Sequence, residues 1–201
     1  MAALTKAVLV LAASASLSYA SPGAARSVAA WRPMIAQASA RFGIPIPWIE
    51  RVMQAESGGR TMWRGRPVTS RAGAMGLMQL MPGTWAEMRA FYRLGTDPYD
   101  PHDNIIAGTG YLRLLYDRFG YPGLFGAYNA GPVRVEEWLG TLGDPRGFDV
   151  SMLDWMEMIP FTETRNYVQR VIENMPVYRA RDPAAAALEH PMARWLRANG
   201  G

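Results

Sequence analysis

With 201 residues and 49% of them apolar, the chain is long enough to bury a single core and too apolar for a disordered or collagen-like class. The net charge of +4 is carried by arginine apart from Lys6, and the absence of a basic run argues against nucleic acid as a partner. There is no cysteine, which excludes disulfides, thiol catalysis and thiolate metal sites. A folded domain must therefore hold together by its core alone.

The chain opens with a short segment, Met1 to Lys6, carrying one positive charge. An apolar or small run from Ala7 to Leu17 follows, and then Ser18-Tyr19-Ala20. This is the pattern of a secretory signal, with cleavage expected after Ala20. The run is shorter than the roughly 20 residues of a comfortable membrane span. An uncleaved anchor is the alternative reading. Without cysteine, no lipid anchor is expected. Residues 1–20 are thus read as signal, 21–180 as one domain and 181–201 as a flexible tail, with the mature protein exported to the periplasm.

After the signal, Val28, Trp31, Ile35, Ala38 and Phe42 fall at three- and four-residue steps, predicting an amphipathic helix from Ala24 to Phe42 closed by Gly43. Ile44-Pro45-Ile46-Pro47 is a helix entry, since proline is tolerated where the amide has no helical partner. A loop from Gly58 to Ala74 holds Arg60, Arg64, Arg66 and Arg71 but little that could form a core. Helices are predicted over Trp85–Leu94 and Asn104–Phe119, the latter capped by Asp103 or a neighbour. Short ones follow over Leu124–Asn129 and Val133–Leu139. Thr141 to Ile159 reads as irregular, and a last helix runs from Pro160 to about Tyr178. No stretch alternates with period two long enough for a large sheet, so the fold is mainly α.

Within this frame Ile49, Val52 and Met53 form a helical stripe that reaches Glu56 before Gly58-Gly59 stops the helix. A glutamate ending an apolar stripe lies in or beside the core. Desolvation raises its pKa, as a general acid at neutral pH requires. A structural glutamate paired with an arginine is the competing reading of this stretch alone.

Three further segments stand in order behind Glu56-Ser57: Gly76-Leu77-Met78-Gln79-Leu80-Met81-Pro82, Ala127-Tyr128-Asn129-Ala130-Gly131-Pro132, and Pro160 through Glu163-Thr164-Arg165 to Tyr167-Val168. In this register the chain, from roughly Ile35 to Tyr178, resembles the soluble lytic transglycosylase catalytic domain, a lysozyme-like helical fold with a catalytic cleft. The resemblance implies cleavage of the β-1,4 bond between N-acetylmuramic acid and N-acetylglucosamine in peptidoglycan. Glu56 would act as acid and then as base, leaving a 1,6-anhydromuramoyl end. That departs from the two-carboxylate pattern of most glycosidases, and no second acid falls within the motifs around Glu56. Asp97, Asp100 and Asp103 sit in a turn-rich segment suited to capping.

The resemblance also implies that Gln79 and the Met81 backbone line the cleft, that Tyr128 and Asn129 reach the saccharide, and that Glu163 contacts substrate lower down. Ser70 would correspond to a serine beside the acid, although the preceding loop, Trp63 to Val68, is longer than the common pattern. Each has a structural alternative: a turn-satisfying amide for Gln79, core packing for Tyr128, a first-turn acid for Glu163. Ser57 reads as a helix-end hydrogen-bonder, because no histidine or lysine base accompanies it. No cofactor or metal is expected, His102 and His190 lacking ligand spacing. The implied partners are peptidoglycan glycan strands and, for small exported domains of this kind, an envelope-spanning secretion or flagellar machine. A monomer is expected. A lysozyme-type muramidase using water, with Asp100 or Asp103 to position it, and a non-catalytic peptidoglycan-binding module are the alternatives.

Overall fold

A computed structural model describes residues 27–147 and 150–173. The predicted signal and the tail from residue 181 lie outside the described residues. Among those described the molecule has seven α-helices and one two-stranded sheet. They are α1 (Arg32–Phe42), α2 (Ile46–Glu56), α3 (Pro82–Tyr92), α4 (Pro101–Ala130), α5 (Pro132–Leu142), α6 (Met152–Met158) and α7 (Thr162–Glu173). Strands β1 (Met62–Trp63) and β2 (Arg66–Pro67) pair antiparallel between α2 and α3.

The helix predicted over Ala24–Phe42 divides. A 3₁₀ turn at Val28–Trp31 precedes α1, which starts where Pro33 supplies a preset φ and needs no hydrogen-bond acceptor. Trp31 is buried, and its indole N–H donates to the Gly59 carbonyl at 2.9 Å, tying the N-terminus to the end of α2. On α2 the predicted stripe is the buried one: Ile49, Val52 and Met53 are completely enclosed.

The long helix α4 is the axis of the domain and packs against α1, α3, α5 and α7. It begins three residues before the predicted start because Pro101 occupies the first helical position and Asp100, not Asp103, is the cap. The Asp100 carboxylate accepts the Asp103 N–H at 2.9 Å. Gly120 and Tyr121 leave helical geometry, so the element consists of two limbs, matching the two helices predicted there. The segment Thr141–Ile159, predicted irregular, instead contains α6. Ser151 caps it, accepting the Asp154 N–H, and Trp155, Met156 and Ile159 bury an apolar face.

Asn104, on the first limb of α4, is fully buried and organises the turn that carries Gly76 to Gln79. Its Oδ1 accepts the Met78 N–H at 2.7 Å, while Nδ2 donates to the carbonyls of Met75 (3.1 Å) and Pro98 (2.8 Å). Gly76 permits this fit. Its φ is 76°, and a Cβ there would lie 2.4 Å from Asn104 Nδ2. Gly108, one turn along α4, admits Met78 in the same way, with a Cβ only 2.5 Å from that of Met78.

Replacing Asn104 by alanine leaves the Met78 amide and the Pro98 carbonyl without partners, whereas the Met75 carbonyl keeps the Leu80 N–H. At about 1 to 3 kcal/mol for each orphaned group, the Asn104→Ala variant should lose roughly 3 kcal/mol of stability. Urea denaturation checks this, and a loss below about 1 kcal/mol would mean that water replaces the side chain.

Candidate active site

Glu56 is the last residue of α2. The stripe that brings it there is wholly buried, so its carboxyl is crowded by protein while keeping an edge toward solvent. Burial pushes its pKa up from 4.5 to about 7, opposed by the Tyr167 hydroxyl and by the positive charge of Arg170. The arginine pairing of the competing sequence reading is therefore outweighed by desolvation. Ser57 fixes the helix end. Its hydroxyl donates to the Leu77 carbonyl at 2.7 Å and accepts the Gly59 N–H at 3.2 Å, the helix-end role expected of it.

Two tyrosines stand around the acid. Tyr167 on α7 is buried, and its hydroxyl makes no hydrogen bond of full geometry, although it lies near enough to favour the Glu56 carboxylate. Tyr128 donates its hydroxyl to the Met78 carbonyl at 2.7 Å. Both phenols are held well above their usual pKa, chiefly by burial and then by the charge of Glu56, so both stay neutral donors. Tyr167 was missed from the sequence as a site residue. Its spacing from Thr164 and Val168 marks a buried face of α7, which was the available signal.

Two adjoining cavities meet at Asn129 and Ala130. The smaller, of about 290 Å³, is lined by Gln79, Met81, Thr84, Tyr111, Tyr128 and Asn129 among others. The larger, of about 510 Å³, lies between Asn129, Arg134 and the Pro160–Thr164 segment, with Glu163 in its wall. Glu56 lines neither, and its charge acts on Tyr128, which lines the smaller. Four predicted site residues thus share one cavity, and Glu163 lines the next. Asn129 joins the two, its Oδ1 accepting from the Thr164 hydroxyl at 2.8 Å. Ser70 lines neither cavity. Its hydroxyl accepts the Ala74 N–H at 3.0 Å and closes a turn.

Gln79 has both roles weighed for it. Its Nε2 donates to the carbonyls of Gly76 (2.8 Å) and Val68 (3.3 Å), satisfying the turn, and the residue also faces the cavity. Its φ of 49° is unusual for a side-chain-bearing residue and is the kind of strain that accumulates at functional sites. Asp100, His102 and Asp103 form a close group of potential metal ligands, all within 4.8 Å. The carboxylates of Asp100 and Asp103 already accept backbone N–H groups of Asp103 and Gly95.

A mainly helical domain with one acid raised to neutral pH beside a double cavity defines a class, and comparison with known proteins agrees. The family model described as Transglycosylase SLT domain matches residues 33–148, and the chain belongs to this family. The chain is 40% identical over 119 residues to the soluble lytic murein transglycosylase of Escherichia coli strain K12, covering 56% of this chain and 18% of that protein. Among solved structures it resembles an inactive glutamate-to-glutamine mutant of the lytic transglycosylase Slt from Pseudomonas aeruginosa. There the TM-score is 0.61 at 33% identity, over 70% of this chain and 22% of that one. A complex of the 70-kDa soluble lytic transglycosylase with bulgecin A matches with a TM-score of 0.64 at 32% identity, over 75% and 24% of the two chains. The chain therefore spans less than a fifth of the curated relative and about a quarter of these structures. The lysozyme-like helical fold is common to them.

The raised pKa has a stability consequence. The folded state holds a proton on Glu56 between pH 4.5 and about 7 that the unfolded chain has released, so stability falls as pH rises through that window. The difference corresponds to about 3 kcal/mol at most. Relative to wild type, Glu56→Gln should be about equally stable at pH 4 and more stable by about 2 to 3 kcal/mol at pH 8. Denaturant melts at the two pH values measure this, and an unchanged difference would show that Glu56 ionises near its ordinary pKa.

Proposed function

We propose that this domain is a peptidoglycan lytic transglycosylase in which Glu56 performs both proton transfers. The observation that carries the reading is a single carboxyl with its pKa near 7, set between two neutral tyrosines at the end of a buried helix. Membership of the SLT family and the inactive glutamate-to-glutamine relative support it. The substrate is the glycan strand of peptidoglycan, cut between N-acetylmuramic acid and N-acetylglucosamine.

Protonated Glu56 gives its proton to the glycosidic oxygen as the bond from that oxygen to C1 breaks. The muramoyl 6-hydroxyl oxygen then bonds to C1, and its proton returns to the Glu56 carboxylate. The products are an anhydro end and a free 4-hydroxyl, with no water consumed. Tyr167, whose hydroxyl has no full partner, would donate to the carboxylate while it is charged. Gln79, Met81, Tyr128 and Asn129 would hold the saccharide in the smaller cavity, with Glu163 meeting it in the larger. Ser70 would act through its turn. The Asp100 carboxylate is engaged in capping α4 and that of Asp103 in accepting the Gly95 N–H, which favours the sugar's own hydroxyl over a water that either would have to position.

Substrate of this kind implies export to the periplasm, with residues 1–20 as signal, 21–180 as the catalytic domain and 181–201 as a tail. No helix among the described residues is long and apolar enough to cross a membrane. Service to a secretion or flagellar machine is compatible with such a domain.

The test is mass spectrometry of fragments released from purified peptidoglycan. Muropeptides one water lighter than the reducing-end product are expected. Reducing ends would make the protein a hydrolase, and no release by folded protein would make it a binding module. Glu56→Gln should lower the rate by about 10³-fold with folding intact. The wild-type rate should fall about tenfold per pH unit above pH 7, where the acid is lost. A normal rate in the Gln variant would falsify the assignment.

A further inference from the structure

The β1–β2 hairpin takes no part in the chemistry proposed for the cleft. Its side chains are unusual for a surface: Met62 is 49% exposed and Trp63 is 55% exposed. The turn between the strands is Arg64-Gly65, both at positive φ, and Arg66 pairs across the ladder with Trp63. Folding brings the guanidinium carbons of Arg60 and Arg64 to 5.0 and 6.0 Å from the indole centroid. No run of basic residues marks this in the sequence, because the cluster is assembled by the turn.

The charge is one-sided. No acidic residue occurs between Glu56 and Glu87. Among the described residues Arg60, Arg64, Arg66 and Arg71 have no carboxylate partner. Arg64, Arg66 and Arg71 are exposed, and the buried Nε of Arg60 has no hydrogen-bond partner. Exposed tryptophan and methionine ringed by unpaired guanidinium groups need an occupant that is apolar below and anionic above.

We propose that this hairpin docks on an anionic phospholipid surface. Trp63 and Met62 enter the headgroup boundary, where an indole keeps its ring in an apolar layer and its N–H in a polar one. The arginines bind lipid phosphates, which the guanidinium fork matches in geometry. A carbohydrate fits less well, since guanidinium groups crowd the indole and its neighbour is an apolar thioether. The hairpin base is rigid. The Val68 carbonyl accepts from the Gly76 N–H (3.0 Å) and from Gln79 Nε2 (3.3 Å), and the hydroxyls of Thr69 and Tyr99 lie 2.9 Å apart. A docked hairpin therefore holds the Gln79 wall of the cavity at a fixed height above the lipid. The inference does not depend on the cleft chemistry.

The experiment is co-sedimentation of the whole chain with vesicles of phosphatidylglycerol and phosphatidylethanolamine, with phosphatidylcholine vesicles and with purified peptidoglycan sacculi. Trp63→Ala and the double variant Arg64→Ala/Arg66→Ala are compared with wild type, and circular dichroism checks folding. Wild type should partition onto the anionic vesicles in a salt-sensitive way. Each variant should lose about tenfold or more of that partition while its cleavage of glycan is unchanged. Partition shared by all three proteins belongs to the rest of the chain. No loss in either variant, or no wild-type partition at low salt, overturns the proposal. Loss on sacculi with vesicle binding intact overturns it too, and moves the hairpin to the wall polymer.

Discussion

The cleft depends on how the chain from Met75 to Met78 is held. This turn belongs to no helix and to no sheet larger than isolated bridges, so its backbone groups need partners from elsewhere. Asn104 supplies two bonds to this turn and a third to the Pro98 carbonyl, Ser57 binds the Leu77 carbonyl, and Tyr128 binds the Met78 carbonyl. These side chains come from the end of α2 and from both limbs of α4. The turn is therefore the place where three otherwise separate pieces are fixed relative to one another. Because the ties are mostly buried, breaking them leaves expensive orphans, and the turn has few ways to shift.

That rigidity bears on the acid. Ser57 adjoins Glu56, and its bond to Leu77 sets the end of α2 against the turn that carries Gln79. Burial of Ile49, Val52 and Met53 then fixes which way the last turn of α2 faces. The carboxyl is raised by its surroundings more than by any single neighbour, since desolvation outweighs both the tyrosine and the arginine acting on it. A protonated acid at neutral pH is thus a property of the packed helix. It costs stability, as polar groups in functional sites commonly do.

Much of this was legible in the sequence because it rests on local periodicity. The α2 stripe, its proline entry and the glycines after Glu56 locate the acid without tertiary information. The start of α4 was placed three residues late because Asp97, Asp100 and Asp103 are all plausible caps, and Pro101 decides between them. Helix α6 was hidden behind Gly143, Asp144 and Pro145, which mark a loop but say nothing of Ser151 beyond it. Asn104 and Tyr167 were not legible as site-forming residues. A polar residue on a helix reads as solvated until its partners are known, and those of Asn104 in the turn lie 26 and 29 positions away. Glu50 shows the same limit. It adjoins the Ile49 stripe yet is buried, with Arg32 at 3.5 Å.

The two sides of the cleft are held to the acid by different means. The Gln79 side is tied to α2 through Ser57 and Leu77. The opposite side, from Pro160 to Thr164, leads directly into α7, which carries both Tyr167 and Arg170. Thr164 is buried and binds Asn129 across the gap, so α7 is fastened to the second limb of α4 beside Tyr128. A displacement of α7 would consequently alter the cavity wall and the two groups that favour the Glu56 carboxylate at once. Cleft width and the proton affinity of the acid are therefore linked through one helix.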